Sequence, residues 1–357
     1  MNVAVLGAAG TIAPAIVRDL AESEEVGSLL LLDLDQGRAA RVAEAHGAGK
    51  ASSATADARS GLAAELAGVD VLVNSASYRV NLHAMRACLE AGCHYLDLGG
   101  LYHMTRRQLE LNAEFREAGL LALLGMGSSP GKTNVMAVRA VRELGERPRT
   151  VDVIAAGRDL DPPPGFSVPY ALRTLVDELT LPPVVVRDGE PTEIEPLSPG
   201  GRVSFTEPIG EADTIHTLHS EVLTFPDSFG CTESSFRLSL APALLERLRD
   251  LTSSSEEELE RAAREAVPPS SRTVSVHMVV ADGATVTATT RPMERWGLGG
   301  GVVSTAAPAA AAVRLLARGR IEARGALPPE HCVDPDDLFP QLELRNCRFE
   351  LEVNVAR

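Results

Sequence analysis

Cysteines are too few and too scattered to hold this chain together. Cys88, Cys93, Cys231, Cys332 and Cys347 are odd in number and contain no C-x-x-C pair. That argues against a disulfide framework or a thiolate zinc site, no metal is expected, and a reducing cytoplasm fits. Basic charge is short as well: 34 Lys and Arg stand against 49 Asp and Glu, a net −15. A chain without a basic stripe is a poor partner for nucleic acid or an anionic membrane. No apolar run reaches membrane-spanning length, and the N-terminus enters an apolar strand directly, without a charged and then apolar leader.

Two catalytic signatures are missing. Gly127-Ser-Ser-Pro-Gly131-Lys132-Thr133 has the look of a P-loop, but Met126 stands where glycine is needed for successive N–H groups to curl around phosphate. A short-chain reductase needs Lys four residues after its Tyr, where the ammonium lowers the phenol pKa. The residues four after Tyr78, Tyr95, Tyr102 and Tyr170 are Leu82, Gly99, Arg106 and Thr174.

What the chain does have begins at its first residue. Val3 to Leu6 is a short apolar run that breaks into Gly7-Ala8-Ala9-Gly10 and then into the helical pattern Thr11 to Leu20. Gly7 suits a turn with positive φ, Gly10 lets backbone approach a pyrophosphate, and small Ala13 lets helix pack on strand. With Ala9, Thr11 and Ile12, these glycines form a dinucleotide cradle in which the helix-start N–H groups meet phosphate. A second apolar strand, Leu29 to Leu32, ends in Asp33, about twenty residues on, where an acid reaches the ribose hydroxyls. Asp33 disfavours a 2′-phosphate and so favours NAD, while nearby Arg38 leaves NADP possible.

The length of 357 residues calls for two domains. To about Gly127, strand and helix alternate: strands end near Asp57, at Asn74 before Ser75-Ala76, at Leu98 before Gly99-Gly100, and at Leu124 before Gly127. Helices are expected over 38–46, 61–66, 80–91, 105–118 and 134–144. Such alternation predicts a Rossmann-type, doubly wound parallel sheet of the α/β class, with ligands beyond the strands' carboxyl ends. Asp57, Ser75, Ala76 and Gly127 join the cofactor set on that ground. From Val151 to Val280 the alternation fails, with strands at 151–156, 184–186 and 274–280, which reads as an inserted mixed α+β substrate domain. Ser253 to Glu265 is a Ser-capped surface helix. The glycines after Trp296 read as a hinge, followed by a helix starting near Ala307 with Pro308 in its first turn. The tail is partly helical over 334–344 and extended over Arg348–Val355. The expected domains are thus 1–128 for the dinucleotide, 129–302 for substrate and dimerisation, and 303–357 for a returning helix and tail. His216 and His219 are candidates for pocket polarity, although the extended reading of Val222 to Pro226 sends them to opposite faces.

Several separated motifs, in order, resemble the saccharopine dehydrogenase family. They are the glycine turn, Tyr95-Leu-Asp97-Leu-Gly-Gly100 with His103, Pro130-Gly131 leading to Asn134, Val184 to Gly189, His216-Thr217, Arg318 to Gly325, and Leu327 to Glu330. Within the family the likeness is to its L-lysine 6-dehydrogenase members. The resemblance implies an NAD(P)-dependent oxidoreductase acting on the C–N bond of an amino acid or amine, or the reverse imine reduction, in a homo-oligomer, dimer or higher. Reductive condensation of the saccharopine or carboxyspermidine kind is an alternative, and so is a non-catalytic nicotinamide-binding regulator. Removing hydride from an amine-bearing carbon requires the amine to be neutral, so a base is needed. Tyr78, Asp97 and His103 match family residues and are the catalytic candidates, although Asp97 serves equally as a turn cap, His103 as a residue at a helix start, and Tyr78 as packing on the nicotinamide. Lys132, Asn134, Arg173, His216 and His219 are the substrate candidates. Arg173 departs from the lysine-oxidising members, which carry an acid in this stretch; if it faces the pocket it suits a carboxylate.

Overall fold

Val3, Ala4, Val5 and Leu6 are all buried. A strand covered on both faces reads as an unbroken apolar run, and that places it inside a parallel sheet. In the computed structural model, which describes residues 1–353, this strand, β1 (Asn2–Leu6), lies in a seven-stranded sheet with β2 (Ser28–Asp33), β3 (Ala51–Thr55), β4 (Val71–Asn74), β5 (His94–Asp97), β6 (Leu121–Leu123) and β7 (Gly325–Leu327). All pairings are parallel, and the spatial order is β7-β6-β5-β4-β1-β2-β3. The order reverses between β1 and β4, which opens a crevice at their carboxyl ends.

The helix after β1 spans Ala13–Ala21, with Ala13, Ile16, Val17 and Leu20 buried along one stripe and Pro14 in the first turn, where its missing N–H costs nothing. The helix expected over 105–118 is two helices, Leu101–Leu109 and Asn112–Glu117. On the returning segment, Arg314 donates to Asp19 at 2.8 Å, and both side chains are buried.

The chain divides into two units, Met1–Lys132 with Thr305–Gln341, and Thr133–Ser304 with the segment from Leu342 onward. The second unit holds a mixed nine-stranded sheet. At its centre Thr150–Asp159 pairs in parallel with Glu233–Ser239 and antiparallel with Thr273–Ala281. Ala284–Thr290 and Cys347–Val353 extend it. The closing strand therefore belongs to this unit and not to a tail on the first. Asn354 and Val355, which the expected extended stretch included, lie outside the described residues.

Three expectations are corrected here. The apolar helix begins at Gly300, not near Ala307, and runs to Ala317 with Pro308 inside it. The reason is packing: a Cβ on Gly299 would collide with Thr273 Oγ1 and one on Gly300 with the Thr290 carbonyl oxygen, so these glycines are close-contact positions and not a hinge. The same helix is long and apolar enough to cross a membrane, contrary to the reading that no such run exists; 78% of it is buried. Finally, Val222 to Pro226 is not extended but lies in the helix Glu221–Phe229, with Pro226 inside. Burial of Val222 and Phe225 three apart on one helical face overrides the local β propensity.

Candidate functional site

Gly7 leaves β1 with φ +76°, and a Cβ there would sit 2.7 Å from the Ala76 backbone at the end of β4. Only glycine allows both the turn and that approach. The N–H groups of Gly7 and Ala8 bond to the Leu32 carbonyl at 2.8 and 3.2 Å, and Gly10 N–H closes on the Gly7 carbonyl at 3.0 Å. The loop is thus pinned across the crevice between the ends of β2 and β4. Its helix begins after Ile12 without a side-chain cap; Ala15 and Ile16 N–H bond to the Ile12 carbonyl and Pro14 has no N–H, so any N–H offered to a ligand lies ahead of Pro14. Ile12 itself is buried, whereas Thr11 is exposed. Ser75 Oγ, at the end of β4, is buried without a hydrogen-bond partner among the described residues. An uncapped helix start beside an unsatisfied hydroxyl fits a diphosphate-bearing dinucleotide.

Asp33 is already engaged by the protein. One oxygen accepts Ala9 N–H at 2.9 Å and the other Asp35 N–H at 3.0 Å. Arg38 Nη2 donates to the Ala9 carbonyl at 2.8 Å, so a guanidinium and a carboxylate flank the same loop residue. Asp57 folds the turn after β3 by accepting Arg59 N–H at 2.9 Å.

Asp97 ends β5 and is 1% exposed. Its carboxylate accepts from Gln108 Nε2 at 2.6 Å, Gly125 N–H at 2.7 Å, Tyr95 OH and Gly99 N–H at 2.9 Å, and Asn81 Nδ2 at 3.0 Å. Burial raises its pKa above the usual carboxylate value, against the pull of these donors. Five donors converge on this carboxylate and tie the ends of β5 and β6, which favours the turn-capping reading of Asp97 over the catalytic one. Those ends form a slot for Pro130, since a Cβ on Gly99 or Gly125 would lie 2.9 or 2.6 Å from its ring. The network extends through Asn74, which donates to Asn81 and Tyr95 at 2.9 and 3.1 Å.

The other two catalytic candidates sit on helices at this edge. Tyr78 begins a short 3-10 turn, Tyr78–Val80, under the Arg79 guanidinium. His103 lies inside the helix Leu101–Leu109, edge-on to Tyr102. Gly127 approaches the Leu98 carbonyl, where a Cβ would stand at 2.8 Å, and its own carbonyl accepts Lys132 N–H at 3.0 Å. The side chains of Lys132 and Asn134 are buried.

In the second unit Arg173 pairs with Asp177 at 3.4 Å and with Glu256, tying two helices together, so its guanidinium meets carboxylates of the protein itself. His216 ends the strand Glu211–His216 and lines a cavity of about 290 Å³ with Arg149, Asp152, Arg187 and Glu233. Burial lowers its pKa, with Arg237 adding to the effect. His219 belongs to a different cluster. It lies 3.6 Å from Glu221 and 3.9 Å from Glu178, stacked on Phe236 with ring centroids 3.4 Å apart. Tyr170 OH donates to Glu178, and Thr133 Oγ1 to Glu221 at 2.9 Å. Burial pushes the imidazole's pKa down, but its contact with Glu221 and the charge of Glu178 outweigh that and hold it above the ordinary 6.5. Burial also raises the Glu178 carboxyl, opposed by His219 and Tyr170. Sequence reading missed Tyr170 and Glu178 here, and Asn81 and Gln108 in the first unit; no motif spacing links those four to the sites, only the fold does, whereas Glu221 is legible two residues after His219.

The saccharopine dehydrogenase NADP-binding domain model matches residues 3–123, the stretch that carries the cradle and Asp97. The chain is 27% identical over 191 residues to carboxyaminopropylagmatine dehydrogenase of Synechocystis sp., covering 52% of this chain and 48% of that protein. It is 30% identical over 95 residues to carboxynorspermidine synthase of Vibrio alginolyticus, covering 24% of this chain and 23% of that one. The matches span less than half the length of either curated relative. Among solved structures, apo saccharopine dehydrogenase (L-Glu forming) of Saccharomyces cerevisiae has a TM-score of 0.70 at 16% identity, covering 98% of this chain and 99% of that one, a likeness of fold. The matched domain model is an NADP-binding one, so the cofactor is a nicotinamide dinucleotide, NAD or NADP.

Proposed function

We propose, from the match of residues 3–123 to the saccharopine dehydrogenase NADP-binding domain, that this chain is an NAD(P)-dependent oxidoreductase of that family acting on the C–N bond of an amino acid or amine. The observation that carries this is the cradle: Gly7 against Ala76, an uncapped helix start, and the unsatisfied Ser75 hydroxyl, all at the point where strand order reverses. Backbone N–H groups of the glycine loop and the Ser75 hydroxyl are the groups that would hold a dinucleotide's diphosphate here, and the dinucleotide, when bound, would supply or accept hydride at a carbon attached to nitrogen.

Hydride leaves an amine-bearing carbon only when the nitrogen lone pair is free, so a base must take its proton. Tyr78 and His103 are the residues we assign to proton handling. Asp97 acts through the loops it ties, by keeping the strand ends in register for the reacting carbon. Lys132, Asn134, His216 and His219 remain the candidates for substrate recognition.

A second reading is favoured by the names of the two curated relatives, which both denote carboxylated polyamine-type compounds. In it, an amine condenses with an aldehyde, water leaves, and hydride reduces the imine to a secondary amine. Following the near-ultraviolet absorbance of the reduced dinucleotide separates the two. Reduction of NAD or NADP by a lone amino acid supports amine oxidation; oxidation of the reduced form only with aldehyde and amine together supports condensation. Tight dinucleotide binding with neither turnover would leave a non-catalytic regulator and sink the enzyme assignment.

A further inference from the structure

A cavity of about 540 Å³ in the first unit has no part in the dinucleotide cradle: none of the glycine-loop residues lines it. It opens between the turn after β3, the helix Leu62–Glu65, the helix Asn81–Ala91 and the helix Leu101–Leu109. Its size is that of a small-molecule site. Its lining is rich in basic side chains. Arg59, Arg86, Arg107 and His83 come from three separate elements, and Glu90 is the only acid among the described residues of the lining. Three guanidiniums thus face one carboxylate, in a chain whose net charge is −15.

Arg86 is answered by Glu114. Arg59 and Arg107 make no side-chain hydrogen bond or ion pair among the described residues, and both are exposed. Like charges gathered from separate elements repel one another, and guanidiniums pair best with planar carboxylates or with phosphates through two parallel hydrogen bonds. Leu62, 2% exposed, and Ala87 supply an apolar floor. We propose that this cavity binds a small organic anion carrying two or more carboxylate or phosphate charges, held by Arg59, Arg86 and Arg107.

The site adjoins the dinucleotide cradle through backbone. Asp57 accepts Arg59 N–H at 2.9 Å, and Ala56 N–H bonds to the Asp33 carbonyl at 3.0 Å. Asp33 in turn holds the glycine loop. Anion binding is therefore expected to change dinucleotide affinity; that coupling rests on the proposed function, whereas the anion site does not.

Calorimetric titration of the full chain with citrate and, separately, inorganic phosphate tests the site. Saturable binding is expected, with the tighter probe telling carboxylate from phosphate recognition. The double variant Arg59→Ala/Arg107→Ala should bind about tenfold or more weakly while still binding reduced dinucleotide and keeping its circular dichroism. Equal binding by the variant, or no saturable binding of either probe by the parent chain, overturns the proposal. If the parent chain binds anion but no dinucleotide, the proposed function fails and this site stands.

Discussion

The guanidinium of Arg38 donates to the carbonyl of Ala9 at 2.8 Å, fixing a positive charge against the loop that cradles the dinucleotide. Asp33 accepts the N–H of the same residue, so the acid that would exclude a 2′-phosphate is partly occupied in holding the loop. Recognition of a 2′-phosphate by a freed guanidinium is a charge-assisted contact. Replacing Arg38 with Ala should weaken NADPH binding about tenfold or more while moving NADH binding little. Fluorescence titration of both reduced dinucleotides reads the split; equal losses for the two would mean that Arg38 only braces the loop.

Gly7→Ala places a Cβ 2.7 Å from the Ala76 backbone and demands φ +76° of a residue that resists it. Thermal unfolding should register a loss of about 1–3 kcal/mol, and dinucleotide binding should vanish because the loop must shift away from β4. Unchanged affinity would show that the approach of loop to strand is dispensable.

Asp97→Asn puts two N–H donors among the five donors that now converge on a carboxylate. A loss of about 2–4 kcal/mol is expected in denaturant unfolding. At temperatures where the variant is folded, turnover should fall while its pH profile keeps its shape. A shifted profile would return Asp97 to direct proton transfer.

His219 carries a pH signature whose sign follows from its raised pKa. The folded protein holds the imidazole proton more tightly than the unfolded chain does, so the stabilisation is complete below pH 6.5 and is lost as pH rises through the folded value. The acids facing the ring are Glu178 and Glu221, with Tyr170 on Glu178. Glu178 has the same sign at lower pH, its stabilisation fading as pH rises above its unfolded value. Unfolding free energy measured from about pH 6 upward should decline in the parent chain, and His219→Gln should flatten that decline. A decline that survives in the variant would assign it to other groups.

How much could be read in advance depended on how local each feature is. The run from Val3 to Ala13 was legible because strand, turn and helix start are written in adjacent residues, and Gly7 is needed there for conformational reasons alone. Asp33 was found at the end of β2, but its two hydrogen bonds to main-chain N–H groups were not. The Ser cap of the helix Glu256–Glu265 was visible for the same local reason, whereas its reciprocal bond to Glu258 was not. The segment after His219 was misread because isolated β propensity lost to the packing of Val222 and Phe225, and the pairing of Arg173 with Glu256, far along the chain, was not legible in advance.

By its sequence alone this protein was determined to be a βα-alternating dinucleotide binder with an inserted mixed domain, because period, glycine and strand-end acid are short-range signals that backbone sterics and burial read directly. The tertiary structure alone decided that Asp97 is encircled by donors, that His219 stands between Glu178 and Glu221, and that Arg59 and Arg107 share one cavity. Each of those depends on side chains brought together across tens of residues, where charge, desolvation and hydrogen-bond geometry act through space and leave no spacing to read.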